Sequence, residues 1–255
     1  MPNAGQTLRS FGVDEEIPVA AGEALRVLVA FPPAGASQGI FSGLRRALGR
    51  PTQVIAPDIL SRGNRPGEEL PLTALVAKLA GELHDRIGDR RYAVFGTSFG
   101  SIVAFEYVRE IQARHLRPPE LLIISGRQPP EDTDDFAECA SWTDDEVWKH
   151  LLESQPDGTD LRTAPAELQE MAIEWFKKDM RLGAGYRYVP SEPLNVPIVV
   201  CHGTHDHGVR KEELREWKRH TSKSLTIHSV TGGHFFYVSR PDALIDAVPG
   251  LHAAE

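Results

Sequence analysis

Short apolar runs and amphipathic stretches alternate along this chain. From Leu25 to Phe31 every residue but Arg26 is apolar. Gln53–Ala56, Tyr92–Phe95, Leu121–Ile124, Val196–Cys201 and Leu225–Val230 are similar short runs, the size of strands buried in a sheet. Between them, apolar residues recur at helical spacing: Ile40, Leu44 and Leu48, then Leu75, Leu79 and Leu83, then Ile102, Val103, Phe105 and Val108. The pattern predicts helices over about 39–48, 72–87 and behind residue 98, with others over about 211–220 and 241–248. Up to Ile124 the order is β-α-β-α-β-α-β, which implies a mostly parallel, doubly wound sheet with helices on both faces. Residues 1 to about 23 read as a loose lead-in.

The rhythm breaks at Arg127, and no strand pattern returns before about Asn195. Thr143-Asp144-Asp145-Glu146 resembles a capping box opening a helix, and Ala166–Leu182 carries a second helical pattern. A helical insertion of this kind in an α/β sheet is expected to act as a lid. The chain therefore divides into a first core part (1–127), a helical lid insertion (128–195) and a second core part (196–255). Trp142, Trp148 and Trp175 lie in the insertion. With Phe176 they either line a substrate pocket or hold the lid together, and spacing alone leaves both open.

Composition narrows the class. The chain has 255 residues, 41% of them hydrophobic, enough for a full core. A formal net charge of −8 argues against nucleic acid or an anionic membrane as a main partner. Cys139 and Cys201 are the two cysteines, which implies no disulfide framework and fits a reducing cytoplasm. Met1 to Glu16 is polar and lacks a signal-peptide pattern, and no apolar run reaches the ~20 residues of a membrane span. A soluble, cytoplasmic protein is the expectation, and a monomer.

The chemistry centres on Gly96-Thr97-Ser98-Phe99-Gly100, set between the Tyr92 strand and the helix behind it. Gly-x-Ser-x-Gly at a sharp strand-to-helix turn is a nucleophile elbow, which projects the serine hydroxyl above the sheet. A serine needs a base, and the base works best with a carboxylate behind it. On a doubly wound sheet these follow in the order Ser, acid, His at strand ends. Ser98, Asp206 and His234 obey that order, the last two each following a strand. An acid from the Glu131, Asp132, Asp134, Asp135 cluster is the alternative to Asp206. One oxyanion donor is expected at the Phe99 N–H and another in the Pro33-Ala34-Gly35 loop. Cys201, His202, His205 and His207 invite a zinc reading, but a buried strand end whose residues alternate in direction suits it poorly, so no metal is expected. His115, His150, His220, His228 and His252 have no companions in the sequence and read as surface residues.

Phe31-Pro32-Pro33-Ala34-Gly35-Ala36-Ser37, Gly96-Thr97-Ser98-Phe99-Gly100 with Phe105-Glu106, Ser125-Gly126-Arg127-x-x-Pro130 and Gly232-Gly233-His234-Phe235-Phe236 together resemble the type II thioesterases. These are α/β-hydrolases that accompany nonribosomal peptide and polyketide synthases. The resemblance runs from about Arg26 to Val248. It implies an α/β-hydrolase fold, Ser98 as nucleophile, His234 as base, Asp206 as orienting acid, and Ala34 and Phe99 N–H groups as the oxyanion hole. It implies hydrolysis of acyl groups from the phosphopantetheine arm of an acyl carrier protein or peptidyl carrier domain, with no cofactor. The family usually has histidine or a large aromatic at the position of Thr97, methionine at Phe99 and glycine at Ala36. The first two border the acyl pocket, to which Phe235 is also assigned, so these departures leave the preferred acyl group open rather than the mechanism. The Arg62–Gly67 loop fits the family's Arg/Gly-rich segment only loosely. Lys177, Lys178, Arg181 and Arg187 are candidates to meet an acidic carrier, or a solvated helix face. A carboxylesterase, an acyltransferase and a silent carrier-binding module are the competing readings.

Overall fold

The computed structural model describes residues 8–12, 25–57, 70–156, 158–248 and 250–251. The expected loop through Arg62–Gly67, most of the lead-in and His252 lie outside them. Seven strands form one sheet in the order β1-β7-β6-β5-β4-β2-β3. They are β1 (Leu8–Gly12), β2 (Val27–Phe31), β3 (Gln53–Ile55), β4 (Tyr92–Thr97), β5 (Leu122–Ser125), β6 (Ile198–Gly203) and β7 (Leu225–Val230). Strands β2 to β7 pair in parallel. The fold is an α/β-hydrolase fold.

β1 corrects the loose lead-in. It pairs antiparallel with β7, Leu8 opposite Val230 and Gly12 opposite Thr226. Its five residues contain only Leu8 and Phe11 as large apolar positions, too few to mark a strand in the sequence.

The inner strands are buried on both sides, so they are apolar along most of their length, with polar Thr97, Ser125 and His202 near their carboxyl ends. On one face lie α2 (Leu72–Ile87) and α3 (Phe99–Ala113). Their apolar stripes pack with Val27, Val29, Val94, Leu122, Ile124 and Ile198. On the other lie α1 (Ser42–Leu48), and α7 (Phe236–Ser239) and α8 (Pro241–Ala247) at the end of the chain. These cover Leu28, Ala30, Ala93, Phe95 and Ile123. The alternation along β4 thus sends Ala93 and Phe95 to one core and Val94 to the other.

Between β5 and β6 come α4 (Asp134–Ala140), α5 (Asp144–Ser154) and α6 (Ala166–Ala184). The capping box at α5 is present: the Glu146 N–H donates to Thr143 Oγ1, and the Glu146 carboxylate accepts the Thr143 N–H at 2.7 Å. α4 is absent from the hydrophobic pattern, because an acidic run precedes it and only Phe136 and Cys139 turn inward. It packs on α6 where Gly183 leaves room, since a β-carbon there would lie 2.7 Å from the Phe136 ring. The stretch Lys211–His220 is helical, but wound as 3-10 turns. Leu214, Trp217 and His220 are its buried residues. Three per turn puts residues three apart on one line.

Candidate active site

Ser98 joins β4 to α3 with φ 53 and ψ −125, a conformation a non-glycine residue adopts only under strain. The flanking glycines explain how so sharp a turn fits. A β-carbon on Gly96 would come within 2.4 Å of the Gly100 carbonyl oxygen, and one on Gly100 within 2.3 Å of that of Phe31. The Ser98 N–H donates to the Ser125 carbonyl at 2.8 Å, tying the elbow to the neighbouring strand end. Ser98 is half-buried. Phe99 is the first residue of α3, so its N–H has no acceptor within the helix.

The other two members come from adjacent strands. β6 and β7 end side by side, Gly203 opposite Val230. The loops beyond them are laced by backbone bonds, Thr204 N–H to the Val230 carbonyl at 2.8 Å and His205 N–H to the Gly232 carbonyl at 2.9 Å. Gly203 has the Gly233 carbonyl where a β-carbon would stand, 2.3 Å away. This lacing sets Asp206 Oδ2 2.7 Å from His234 Nδ1. The Gly208 N–H donates to the other carboxylate oxygen at 3.1 Å. Burial alone would raise the Asp206 carboxyl; the hydrogen bond and charge of His234, with the Gly208 N–H, outweigh it and hold the carboxyl below its ordinary value. The His234 ring lies over Gly126, the residue after Ser125, and Phe235 packs edge-on against it at 4.7 Å. Acid and histidine are thus in contact at the carboxyl ends of β6 and β7, with the ring over the residue that follows Ser125, whose carbonyl holds the elbow.

Three of the four carboxylates in the competing acidic cluster are engaged elsewhere. Asp135 pairs with Arg127 at 2.5 Å, Asp132 with Arg210, and Glu131 with His220 Nε2 at 3.1 Å. Arg127 lies over the Phe136 ring, and its carbonyl accepts the Trp217 indole N–H at 3.1 Å, so the motif after β5 fastens α4 and the 211–220 turns to the sheet. Among the described residues, no group of three or more His, Cys, Asp or Glu side chains is placed to hold a metal ion.

Residues 26–251 match the family model of the thioesterase domain. The chain belongs to the thioesterase family. Among its relatives, thioesterase PikA5 of Streptomyces venezuelae is 30% identical over 214 residues, covering 82% of this chain and 74% of that protein. The AMB antimetabolite synthetase AmbE of Pseudomonas aeruginosa is 31% identical over 216 residues, 83% of this chain but only 10% of that much longer protein. Among solved structures, the type II thioesterase BorB from the borrelidin biosynthetic cluster superposes with a TM-score of 0.78 at 25% identity, covering 96% of this chain and 98% of that one. As a thioesterase the protein is a hydrolase, and no helix among its described residues is long and apolar enough to cross a membrane.

The thioesterase's expected pocket residues separate on inspection. Trp142 stacks on Phe176, centroids 6.2 Å apart and planes 8° apart. A β-carbon on Gly35 would lie 3.1 Å from Phe176 Cβ, which puts Phe176 beside the Ala34 loop. Trp148 is half-buried in a shallow cleft between α5 and α6 with Asp145, Gln169 and Ile173, and Trp175 is half-buried on α6. Thr97 corrects the expectation: it is wholly buried on the α7 side of β4, in register with Ala93 and Phe95, next to Tyr237. Strand alternation turns it away from α4–α6. The Phe99 side chain is equally buried, edge-on to Phe136 at 5.7 Å.

Three histidines expected at the surface are not there. His150 packs between Trp142 and Phe176, at 5.2 and 5.3 Å. Burial first, and the charge of His234 second, lower its pKa. His220 is buried among Phe105, Tyr188 and Trp217, and His228 is half-buried in β7. Several of these contacts join residues far apart in the chain, His150 with Phe176 and His220 with Phe105 among them. His115 is exposed. The basic candidates all have local partners: Lys177 with Asp144 at 2.6 Å, Lys178 with Glu174 at 2.7 Å, Arg181 with the Lys177 carbonyl, and Arg187 with the Ala184 carbonyl.

Proposed function

We propose that this thioesterase hydrolyses acyl thioesters borne on the phosphopantetheine arm of carrier proteins in a nonribosomal peptide or polyketide pathway. The observation that carries it is the 2.7 Å contact of His234 Nδ1 with Asp206, set beside a serine elbow in a family of thioesterases. The carboxylate holds the Nδ1 proton, which leaves Nε2 to accept the Ser98 proton. Ser98 Oγ then attacks the thioester carbonyl carbon, and the N–H groups of Phe99 and Ala34 receive the oxyanion. The C–S bond breaks and the phosphopantetheine thiol leaves with the proton from His234. Water, losing a proton to His234, attacks the acyl-serine and frees the acid, and the proton returns to Ser98.

In this reading α4–α6 form the lid. Trp142, His150 and Phe176 border the acyl chain, since Phe176 touches the loop that carries Ala34. The lid's polar rim meets the carrier. Cys139 and Cys201 are both buried and free, which suits work in a reducing cytoplasm.

The test compares one acyl group on a carrier protein, on a free thiol and on a simple ester, with Ser98→Ala as control. Carrier turnover well above the other two, abolished by Ser98→Ala, supports the proposal. Equal or faster ester cleavage points instead to a general esterase.

A further inference from the structure

The loop that carries Ala34 is clamped at both ends. At its start, Gly100 of α3 lies so close that a β-carbon would meet the Pro32 carbonyl oxygen at 2.4 Å. At its end, Gly35 has φ +72 and presses on α6, with the Ala172 carbonyl oxygen and Phe176 Cβ each 3.1 Å from a β-carbon position. The Ala36 N–H donates to the Pro33 carbonyl at 3.2 Å, closing a turn around Ala34 and Gly35. One polar contact fixes that turn to α6: the Gly35 N–H donates to Asp179 Oδ2 at 2.9 Å. Asp179 is wholly buried on α6, with Phe176 and Met180 beside it. A buried carboxyl is costly unless hydrogen-bonded, so its bond to a loop 144 residues away is a specific one.

We propose that Asp179 positions the oxyanion hole, by holding the Gly35 N–H against α6 and so fixing the orientation of the Ala34 N–H. The peptide planes on either side of Ala34 share that residue's α-carbon. With the 34–35 plane pinned by Asp179 and the chain before Ala34 held by α3, the 33–34 plane has little freedom left. The Ala34 donor is then aimed only while α6 is docked, which couples the state of the helical segment to the chemistry at Ser98. This inference rests on the reading above that Ala34 supplies an oxyanion donor.

The experiment compares wild type, Asp179→Ala and Asp179→Asn, whose side-chain carbonyl still accepts the Gly35 N–H. Three readouts are taken: the rate at which a fluorophosphonate labels Ser98, which places a phosphoryl oxygen in the hole without any acyl substrate; kcat and KM on an acyl-carrier thioester; and hydrogen exchange of the amides of residues 34–36. Asp179→Ala is expected to slow labelling and lower kcat in parallel, by about 10²-fold, as loss of one oxyanion donor does. KM stays near wild type, exchange of the 34–36 amides accelerates, and Asp179→Asn recovers most of the lost labelling, turnover and protection. A folded Asp179→Ala protein labelled at the wild-type rate overturns the proposal. So does a Gly35 amide that exchanges as fast in wild type as an open loop, a result that needs no variant to fold. Labelling that depends on Asp179 in a protein inert toward carrier thioesters upholds this inference while counting against the proposed substrate.

Discussion

The imidazole of His234 rests on the α-carbon of Gly126, so closely that a β-carbon there would fall 2.7 Å from Cε1 and 3.1 Å from Nδ1. The glycine is thus the floor on which the histidine stands. Gly126→Ala is expected to push the ring off Asp206 and away from Ser98, lowering kcat by about 10²-fold, the usual consequence of an ångström's misplacement. Gly126 also has φ +64. An alanine there is strained by about 1 kcal/mol, a fall of about 2–4 °C in melting temperature. Kinetics and a thermal melt on the same preparation check it: a large loss of kcat with a small loss of stability is the expected signature.

The elbow predicts a trade of activity against stability. Ser98 holds φ 53 and ψ −125, which glycine tolerates and other residues do not. Strain at such a residue is worth about 1–3 kcal/mol, less about 0.5–1 kcal/mol for glycine's looser unfolded chain. Ser98→Gly is therefore expected to melt a few degrees above wild type, while Ser98→Ala, which keeps the strain, melts with wild type. Both lose turnover by about 10⁴-fold or more. Paired melts of the two variants isolate the backbone contribution from the lost hydroxyl.

Some of this was legible in the sequence, and the reason differs by residue. The bounds of α2 and β7 match their hydrophobic patterns, because Leu75, Leu79 and Leu83 repeat along a full face and Leu225–Val230 is buried at alternate positions. Ser98, Asp206 and His234 stood out because each sits just past an apolar run, and strand ends on a parallel sheet are where such groups converge. Asp179 did not stand out. On α6 it looks like one more charge after Lys177 and Lys178, and only the fold brings Gly35 to it. The same holds for His150 and His220, which the fold brings against Phe176 of α6 and Phe105 of α3. Thr97 shows the opposite failure: its neighbour Ser98 faces the site, but the strand's alternation sends Thr97 to the far core.

A second tether links α3 to the chain that leaves α6. Buried Glu106 accepts from the Tyr186 hydroxyl at 2.6 Å and from Arg109 at 2.7 Å. Burial first, and the Glu106 charge second, push the Tyr186 hydroxyl far above its ordinary value, so it stays a donor at any working pH. Tyr186→Phe removes one charge-assisted bond and is expected to cost about 1.5 kcal/mol. Glu106→Ala strands both partners and costs about 3 kcal/mol. Denaturant titrations measure both. Because neither side chain is assigned to the reaction, Tyr186→Phe should keep wild-type turnover below its melting point.

The buried histidines predict how stability follows pH. His150, His202, His220 and His228 each have a lowered pKa, with burial as the largest cause. In the unfolded chain they take up protons near their ordinary value of 6.5, and in the folded protein only at lower pH. Below 6.5 the unfolded state therefore binds more protons, so stability is full above that pH and falls as the solution is acidified. Each whole proton of difference is worth about 1.4 kcal/mol per pH unit. Asp206 adds a loss of the same sign at lower pH, because its carboxyl is held below 3.8 in the fold and that contribution vanishes only as pH falls through the depressed value. The melting temperature is expected to climb from pH 5 to 7 and then level. His228→Gln should flatten the climb, since Nε2 of His228 is buried in β7 with no hydrogen-bond partner among the described residues. Melts of wild type and His228→Gln across that range decide the point: a flat wild-type profile, or an unchanged slope in the variant, would mean that these rings are protonated in the fold as readily as in the unfolded chain.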